Sequence, residues 1–327
     1  MHGMKRALAL LIVSAVVLGM VTPAAVAVKP LLPTEMGVRA YSYIEQLQEI
    51  PRVSGSAAEA EAAMVIKEWF EELGYATEIQ PFSYMLSGVE YDSQNVIAYL
   101  PAQLPARKGP NAGPTPLVIM GAHYDKVAVG KGADDNASGV GVVLEVAERI
   151  SKHRLPYDVV FIAFGAEEVG LIGASHYVDT MSEADLARTA AMINYDSLIA
   201  GDKLYVHAGQ ASGITWVRDE MLKYAERHDL PIEIQPGLNP DYPAGFSPGF
   251  SDVEIFDGAG IPVAAFESSN WELDDMDGYT QTEEFDSFWH TANDDLDIIE
   301  ELLPGRPMVR LEAYTMVGYE FLKHYRP

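Results

Sequence analysis

Seven side chains stand out in this 327-residue sequence for what they could do together: His123, Asp125, Asp135, Glu167, Glu168, Asp196 and His290. One residue separates His123 from Asp125. Asp135 follows within Asp134-Asp135-Asn136-Ala137-Ser138-Gly139, Glu167 and Glu168 are adjacent, and Phe288-Trp289 precedes His290. Taken singly, none is informative, because a histidine after a strand usually makes a structural hydrogen bond and an acidic pair usually faces water. Several of them converging from separate strand ends would be another matter. The chain has no cysteine, which excludes disulfides, thiolate zinc sites and a cysteine nucleophile. Nitrogen and oxygen donors suit zinc, manganese or cobalt in a hydrolytic centre. Two imidazoles with three carboxylates suffice for two divalent ions that share one carboxylate.

Convergence needs elements that deliver these residues to one place. Hydrophobic periodicity predicts helices within 34–74, with Tyr41, Ile44 and Leu47 on one face and Ser56 capping a helix over 57–73. Strands are expected at 77–84 and 95–100, and an exposed loop at 101–116. Further strands follow at 117–122, 158–164, 190–194, 203–207 and 262–266, alternating with helices at 137–152, 170–180, 213–228 and 307–324. Such alternation implies an α/β fold with a mostly parallel central sheet flanked by helices. In sheets of that kind ligands gather where strands end, and three of these strands run into His123, Glu167-Glu168 and Asp196. Neither a repeat nor a linker divides the chain, so 28–327 is read as one catalytic domain.

Composition narrows the partners. With 48 acidic and 22 basic residues the formal charge is −26, which argues against nucleic acid and anionic membrane surfaces as partners. A hydrophobic content of 48% provides a core and excludes disorder as the main state. Lys5 and Arg6 precede an uncharged run over 7–26, and Ala25-Val26-Ala27 offers a small-x-small cleavage pattern. Residues 1–27 therefore read as a secretory signal peptide cut after Ala27, in preference to an uncleaved membrane anchor. The expected product is a secreted or periplasmic monomer without stable membrane association. Its charge becomes −28, because 1–27 holds those two cations and no acid.

The order His-x-Asp, Asp-Asn-x-Ser-Gly, Glu-Glu, Asp, His resembles the zinc aminopeptidases of the M28 family, from about Leu117 to the C-terminus. The resemblance implies a zinc-exopeptidase domain of the phosphorylase/hydrolase-like type, acting on the N-termini of peptides or proteins. It further implies two divalent ions, Zn2+ above all: one held by His123 and Asp196, the other by Glu168 and His290, with Asp135 bridging them. Glu167 is then the general base, and Asp125 the acceptor for the second ring nitrogen of His123. A cis peptide after Asp135 also comes with it. Departures occur at Val253, where many relatives carry His after Ser-Asp, and at Trp289, where some carry Tyr. Segments 201–205, 236–239, 252–257, 270–271, 277–279 and 303–306 resemble a branch of the family that removes N-terminal arginine. A glutaminyl-cyclase-like enzyme or a carboxypeptidase on the same fold is the alternative, followed by a binding module that has lost its metals.

Other motifs receive plainer readings. Gly245-Phe246-Ser247-Pro248-Gly249 matches the nucleophile-elbow pattern around Ser247, but Pro248 has no N–H for an oxyanion. His153, His176, His207, His228 and His324 are assigned to surface or core. The sequon at Asn136 abuts Asp135 and is taken as chance. Glu272, Asp274, Asp275, Asp277, Glu283, Glu284 and Asp286 run up to His290 without a cation between them. They are either a solvated loop or the rim of a pocket for a basic first residue.

Overall fold

The structure, a computed structural model, describes residues 36–105, 113–247 and 249–326. The signal-peptide reading of 1–27 and part of the 101–116 loop fall outside them. The first helices are α1 (Val38–Leu47) and α2 (Ala57–Glu72). Ser56 caps α2 as expected, its side chain accepting from the Glu59 N–H at 3.1 Å. Strands β1 (Ala76–Leu86) and β2 (Val89–Leu100) form a hairpin longer than the sequence suggests. Its turn is Ser87-Gly88, both at positive φ (50° and 81°), the geometry that matches strand twist in a two-residue turn. Residues 89–92 escaped the periodicity because they lie outside the core.

The centre of the sheet is parallel. Strands β3 (Leu117–His123), β4 (Asp158–Phe164) and β5 (Thr189–Tyr195) are almost wholly buried, which is why they read as continuous apolar runs. Along β3, Val118, Met120 and Ala122 pack into one core with Ile44, Phe70 and α3 (Gly139–Ile150), while Leu117 and Ile119 pack into another with Tyr177 and Phe256. This period-two division is what a sheet covered on both faces requires. Gly121 has no substitute here: a Cβ would lie 2.6 Å from the Phe164 ring.

Helices α4 (Ile172–Thr180) and α5 (Glu183–Arg188) precede β5. After it come β6 (Lys203–Gly209), α6 (Trp216–Arg227), β7 (Ile232–Glu233), β8 (Phe246–Ser247), α7 (Val253–Gly258), β9 (Val263–Ser269), α8 (Leu296–Leu302) and α9 (Arg306–His324). The sheet order is β1-β2-β4-β3-β5-β9-β6-β7, with β8 beside β6. Pairs β4/β3, β3/β5 and β5/β9 are parallel, whereas β1/β2, β2/β4 and β9/β6 are antiparallel. The chain leaves β3 for β4 on one side and then crosses to β5 on the other. That reversal opens a crevice at the strand ends, the place where such folds bind ligands.

Phe161 tests the larger core. It is fully buried, with its ring 5.5 Å from Tyr75 edge-on and 6.3 Å from Phe70 in a stack. Phe161→Ala is expected to lower the free energy of unfolding by about 3–5 kcal/mol, read from the urea midpoint at constant slope.

Candidate metal centre

Three parallel strands end side by side, and each delivers part of the site. His123 is the last residue of β3 and is level with Phe164 at the end of β4; Asp196 directly follows β5. Glu167 and Glu168 lie just past β4. Ala166, Ser197 and His290 adopt left-handed φ values of 53°, 50° and 56°, a region non-glycine residues seldom occupy, and these turns aim their neighbours inward.

Asp125, fully buried, holds the Glu pair by its backbone. Its Oδ1 accepts from the Glu167 N–H at 3.0 Å, and its Oδ2 from the Glu168 N–H at 3.2 Å and the Ser54 hydroxyl at 2.5 Å. The Nδ1 of His123 is 3.6 Å from Asp125 and has no other partner, which is longer than a hydrogen bond. Asp125 therefore acts first on the Glu167-Glu168 backbone. Glu59 braces the same turn from α2, accepting from the Ala166 N–H at 3.1 Å and the Ser93 hydroxyl at 2.6 Å.

Asp135 lies in the irregular turn Ala133–Ser138 that leads into α3. The Asp135–Asn136 peptide is cis. Buried Asp294 accepts from the Asp134 and Asp135 N–H groups at 2.6 and 3.2 Å. Asn136 donates to the Tyr195 carbonyl at 2.9 Å and accepts from the Gly139 N–H at 2.8 Å. This locks the turn to the end of β5 and leaves no free amide for a glycan.

The outcome is a compact cluster. Asp135 Oδ1 is 3.1 Å from His123 Nε2, and Asp135 Oδ2 is 3.2 Å from His290 Nε2. The second imidazole is also 3.0 Å from Glu168 Oε2. His123 Nε2 lies 3.4 Å from Asp196 and 3.9 Å from Glu167. Donor atoms of His123, Glu167 and Asp196 lie within 4.8 Å of one another, as do those of His123, Asp135 and Glu168. All seven side chains singled out in the sequence thus meet in one place.

The electrostatics demand positive charge. Burial pushes the Glu167 carboxyl well above its usual range, with Asp252, Asp196 and Asp125 adding to the effect against the pull of His123. Burial, with Asp135 beside it, pushes Glu168 up to about 7. For Asp135 burial acts in the same direction, but the hydrogen bonds from His123 and His290 outweigh it and hold the carboxyl below its usual range. Those contacts with Asp135 and Glu168 push His290 up to about 11. Burial opposes protonation of His123, yet Glu167 and Asp196 override it. A cluster that draws in protons so strongly fits divalent cations, and oxygen and imidazole donors suit them chemically.

Several functional neighbours were not anticipated. Asp252, at the start of α7, is fully buried and neither carboxylate oxygen has a hydrogen-bond partner; the Ser251-Asp252 dipeptide was its only signal. Asp134 accepts from the Ile199 and Ala200 N–H groups at 2.6 and 3.2 Å and from Gln281 at 2.5 Å. His207, assigned to surface or core, is buried and also borders a cavity of about 380 Å³ beside Asp196 and His290. It does so because β6 lies next to β9 in the sheet. Ser247 also borders this cavity, and its Oγ accepts only from the Gly249 N–H at 3.2 Å. Among the described residues no histidine bonds to it. Of the acidic run before His290, only Asp277 lines the cavity. Glu272 instead pairs with Lys203, and Asp274 accepts from Thr280.

Comparisons with known proteins agree with this geometry. The profile of Peptidase family M28 matches residues 95–306. The alkaline phosphatase isozyme conversion protein of Escherichia coli (strain K12) is 34% identical over 278 residues, 78% of this chain and 80% of that protein. Aminopeptidase YwaD of Bacillus subtilis (strain 168) is 33% identical over 70% of this chain and 46% of its own length. The structure of a zinc aminopeptidase from Bacillus subtilis superposes with a TM-score of 0.72 at 21% identity, covering 90% of this chain and 97% of that one. Cluster, fold and sequence agree: the chain belongs to peptidase family M28, as a metal-dependent aminopeptidase of that family.

Proposed function

We propose that the protein is a secreted aminopeptidase that uses two zinc ions to remove the first residue of peptides or proteins, with preference for a basic one. Asp135 carries the reading, since its two oxygens face two different imidazoles at 3.1 and 3.2 Å. In it, His123 and Asp196 would hold one ion and Glu168 and His290 the other, with Asp135 as a ligand shared by the two. When bound, the ions supply Lewis acidity and lower the pKa of a water shared between them.

The remaining work falls to the chain. Glu167 takes the proton from the attacking water and carries it to the leaving amine, as a general base that then becomes a general acid. Asp125 keeps Glu167 in place through the backbone N–H, so the carboxylate is presented at the cluster without a conformational search. Trp289 borders the cavity, and its indole N–H is buried without a partner. Export rests on the 1–27 segment, with cleavage after Ala27. Among the described residues no helix is long and apolar enough to cross a membrane.

A panel of aminoacyl-chromogenic substrates, with their N-acetylated counterparts, tests the reading. Free-amine substrates are expected to turn over, blocked ones to resist, and a chelator to abolish the activity until zinc is restored. Turnover of blocked substrates, or cyclisation of N-terminal glutamine in place of hydrolysis, would refute it.

A further inference from the structure

The cavity beside Asp196 and His290 contains a carboxylate that the metal centre does not use. Glu267 extends from β9, and its Oε1 accepts three hydrogen bonds: from His207 Nε2 at 2.8 Å, from Ser269 Oγ at 3.0 Å and from the indole N–H of Trp271. Its Oε2 accepts none of these. The Glu267 side chain is 19% exposed and borders the cavity. Among the described residues the sole ion-pair contact of Glu267 is His207.

Whether that contact cancels the charge depends on whether the ring carries one proton or two. His207 is 1% exposed, and its Nδ1 is buried with no hydrogen-bond partner. A protonated ring would strand an N–H donor there, which is unfavourable, whereas a neutral ring needs only the Nε2–H that it gives to Glu267. The hydrogen bonds that Oε1 accepts from His207, Trp271 and Ser269 favour the ionised carboxyl. The cavity thus contains a fixed negative charge, oriented through one oxygen and free of those bonds at the other.

The other walls suit a flat cation. Tyr242, Phe250, Tyr279 and Trp289 border the cavity, and Asp277 adds a second carboxylate. Aromatic faces attract guanidinium, and a carboxylate gives it short charge-assisted hydrogen bonds. We infer that Glu267 selects the substrate's first side chain, its free oxygen binding the guanidinium of an N-terminal arginine, or the ammonium of lysine, between these rings. The inference deepens the aminopeptidase reading and rests on it for the position of the scissile bond.

Citrulline has the shape of arginine without its charge, so the arginyl and citrullinyl amidomethylcoumarins provide the test on the unmodified enzyme. kcat/KM is expected to favour arginyl by about 30-fold or more, the range of a hydrogen bond to a charged group. In Glu267→Gln the arginyl-to-citrullinyl ratio should collapse towards one, with zinc content and thermal midpoint recorded beside it. Calorimetric titration with free L-arginine and L-citrulline reads the same selectivity without turnover. Equal wild-type affinities and rates for the two would overturn the inference, as would a Glu267→Gln enzyme that keeps the ratio while all rates fall. An enzyme that binds arginine selectively yet hydrolyses neither substrate would instead refute the aminopeptidase reading and leave the pocket standing.

Discussion

Replacing Glu167 by glutamine is expected to reduce kcat by 10²- to 10⁴-fold, the usual scale for a positioned general base, with the metal content unchanged. The substitution keeps size and shape, and the backbone N–H that Asp125 holds at 3.0 Å is untouched, so the residue stays in place and loses only its ability to accept a proton. Glu168→Gln should behave differently. Its Oε2 lies 3.0 Å from His290, its Oε1 accepts from the Val127 N–H at 3.2 Å, and a neutral amide there weakens one cation site. Metal content measured on the two purified variants, alongside kcat at saturating zinc, separates the roles. Loss of metal from Glu167→Gln together with its retention in Glu168→Gln would reverse the assignment within the pair.

Asp135→Asn is expected to have an effect of comparable size. A carboxylate offers two equivalent anionic oxygens, and here each faces a separate imidazole; an amide offers one neutral oxygen and an NH2 group that repels a cation. At least one ion should be lost, with kcat/KM down by about 10³-fold or more. Lewis-acid stabilisation is worth several kcal/mol, and each ~1.4 kcal/mol is tenfold in rate. Metal stoichiometry by elemental analysis checks this directly. An Asp135→Asn enzyme that kept both ions and most of its activity would show that Asp135 does not bridge. Phe161→Ala provides a control, since it should lower stability while leaving the stoichiometry of the folded fraction unchanged.

The positions of the first-rank residues could be read from sequence because strand ends are legible. Apolar runs such as 117–122 and 158–164 are continuous, since both faces of a parallel strand are covered, and the polar residue that ends each run is conspicuous. His123, Glu167 and Asp196 were found in this way. His290 follows no strand; residue type singled it out, and its role as a ligand came with the family resemblance. The hairpin strand over 89–94 was missed because much of it is exposed and its composition is polar. Short elements such as α5, α7 and β7 have too few residues for a period to emerge.

What supports and surrounds the site was not legible, and the reason is sequence distance. Asp294 binds the backbone of Asp134 and Asp135 from about 160 positions away, and Glu59 reaches Ala166 across 107. A buried acid with a backbone partner has the same local sequence as a solvated one. The acidic run before His290 is the converse case. It looked like the rim of a binding pocket, yet only Asp277 reaches the cavity, because neighbouring cations and turns occupy other members of the run. The carboxylate that does face the cavity, Glu267, sits inside an apolar strand as a single unremarked residue.

The sequence by itself determined the α/β class, the order of the strands along the chain, the absence of thiol chemistry and the set of seven side chains that meet at the metal centre. Each of these depends on local periodicity, on residue type or on the order of motifs along the chain. Only the tertiary structure decided which strands are neighbours, that Asp135 presents its two oxygens to two imidazoles, and that β6 and β9 lie together so that His207 can orient Glu267. Those outcomes depend on side chains of distant segments excluding water from one another, and a residue's neighbours in the chain carry no trace of its neighbours in space.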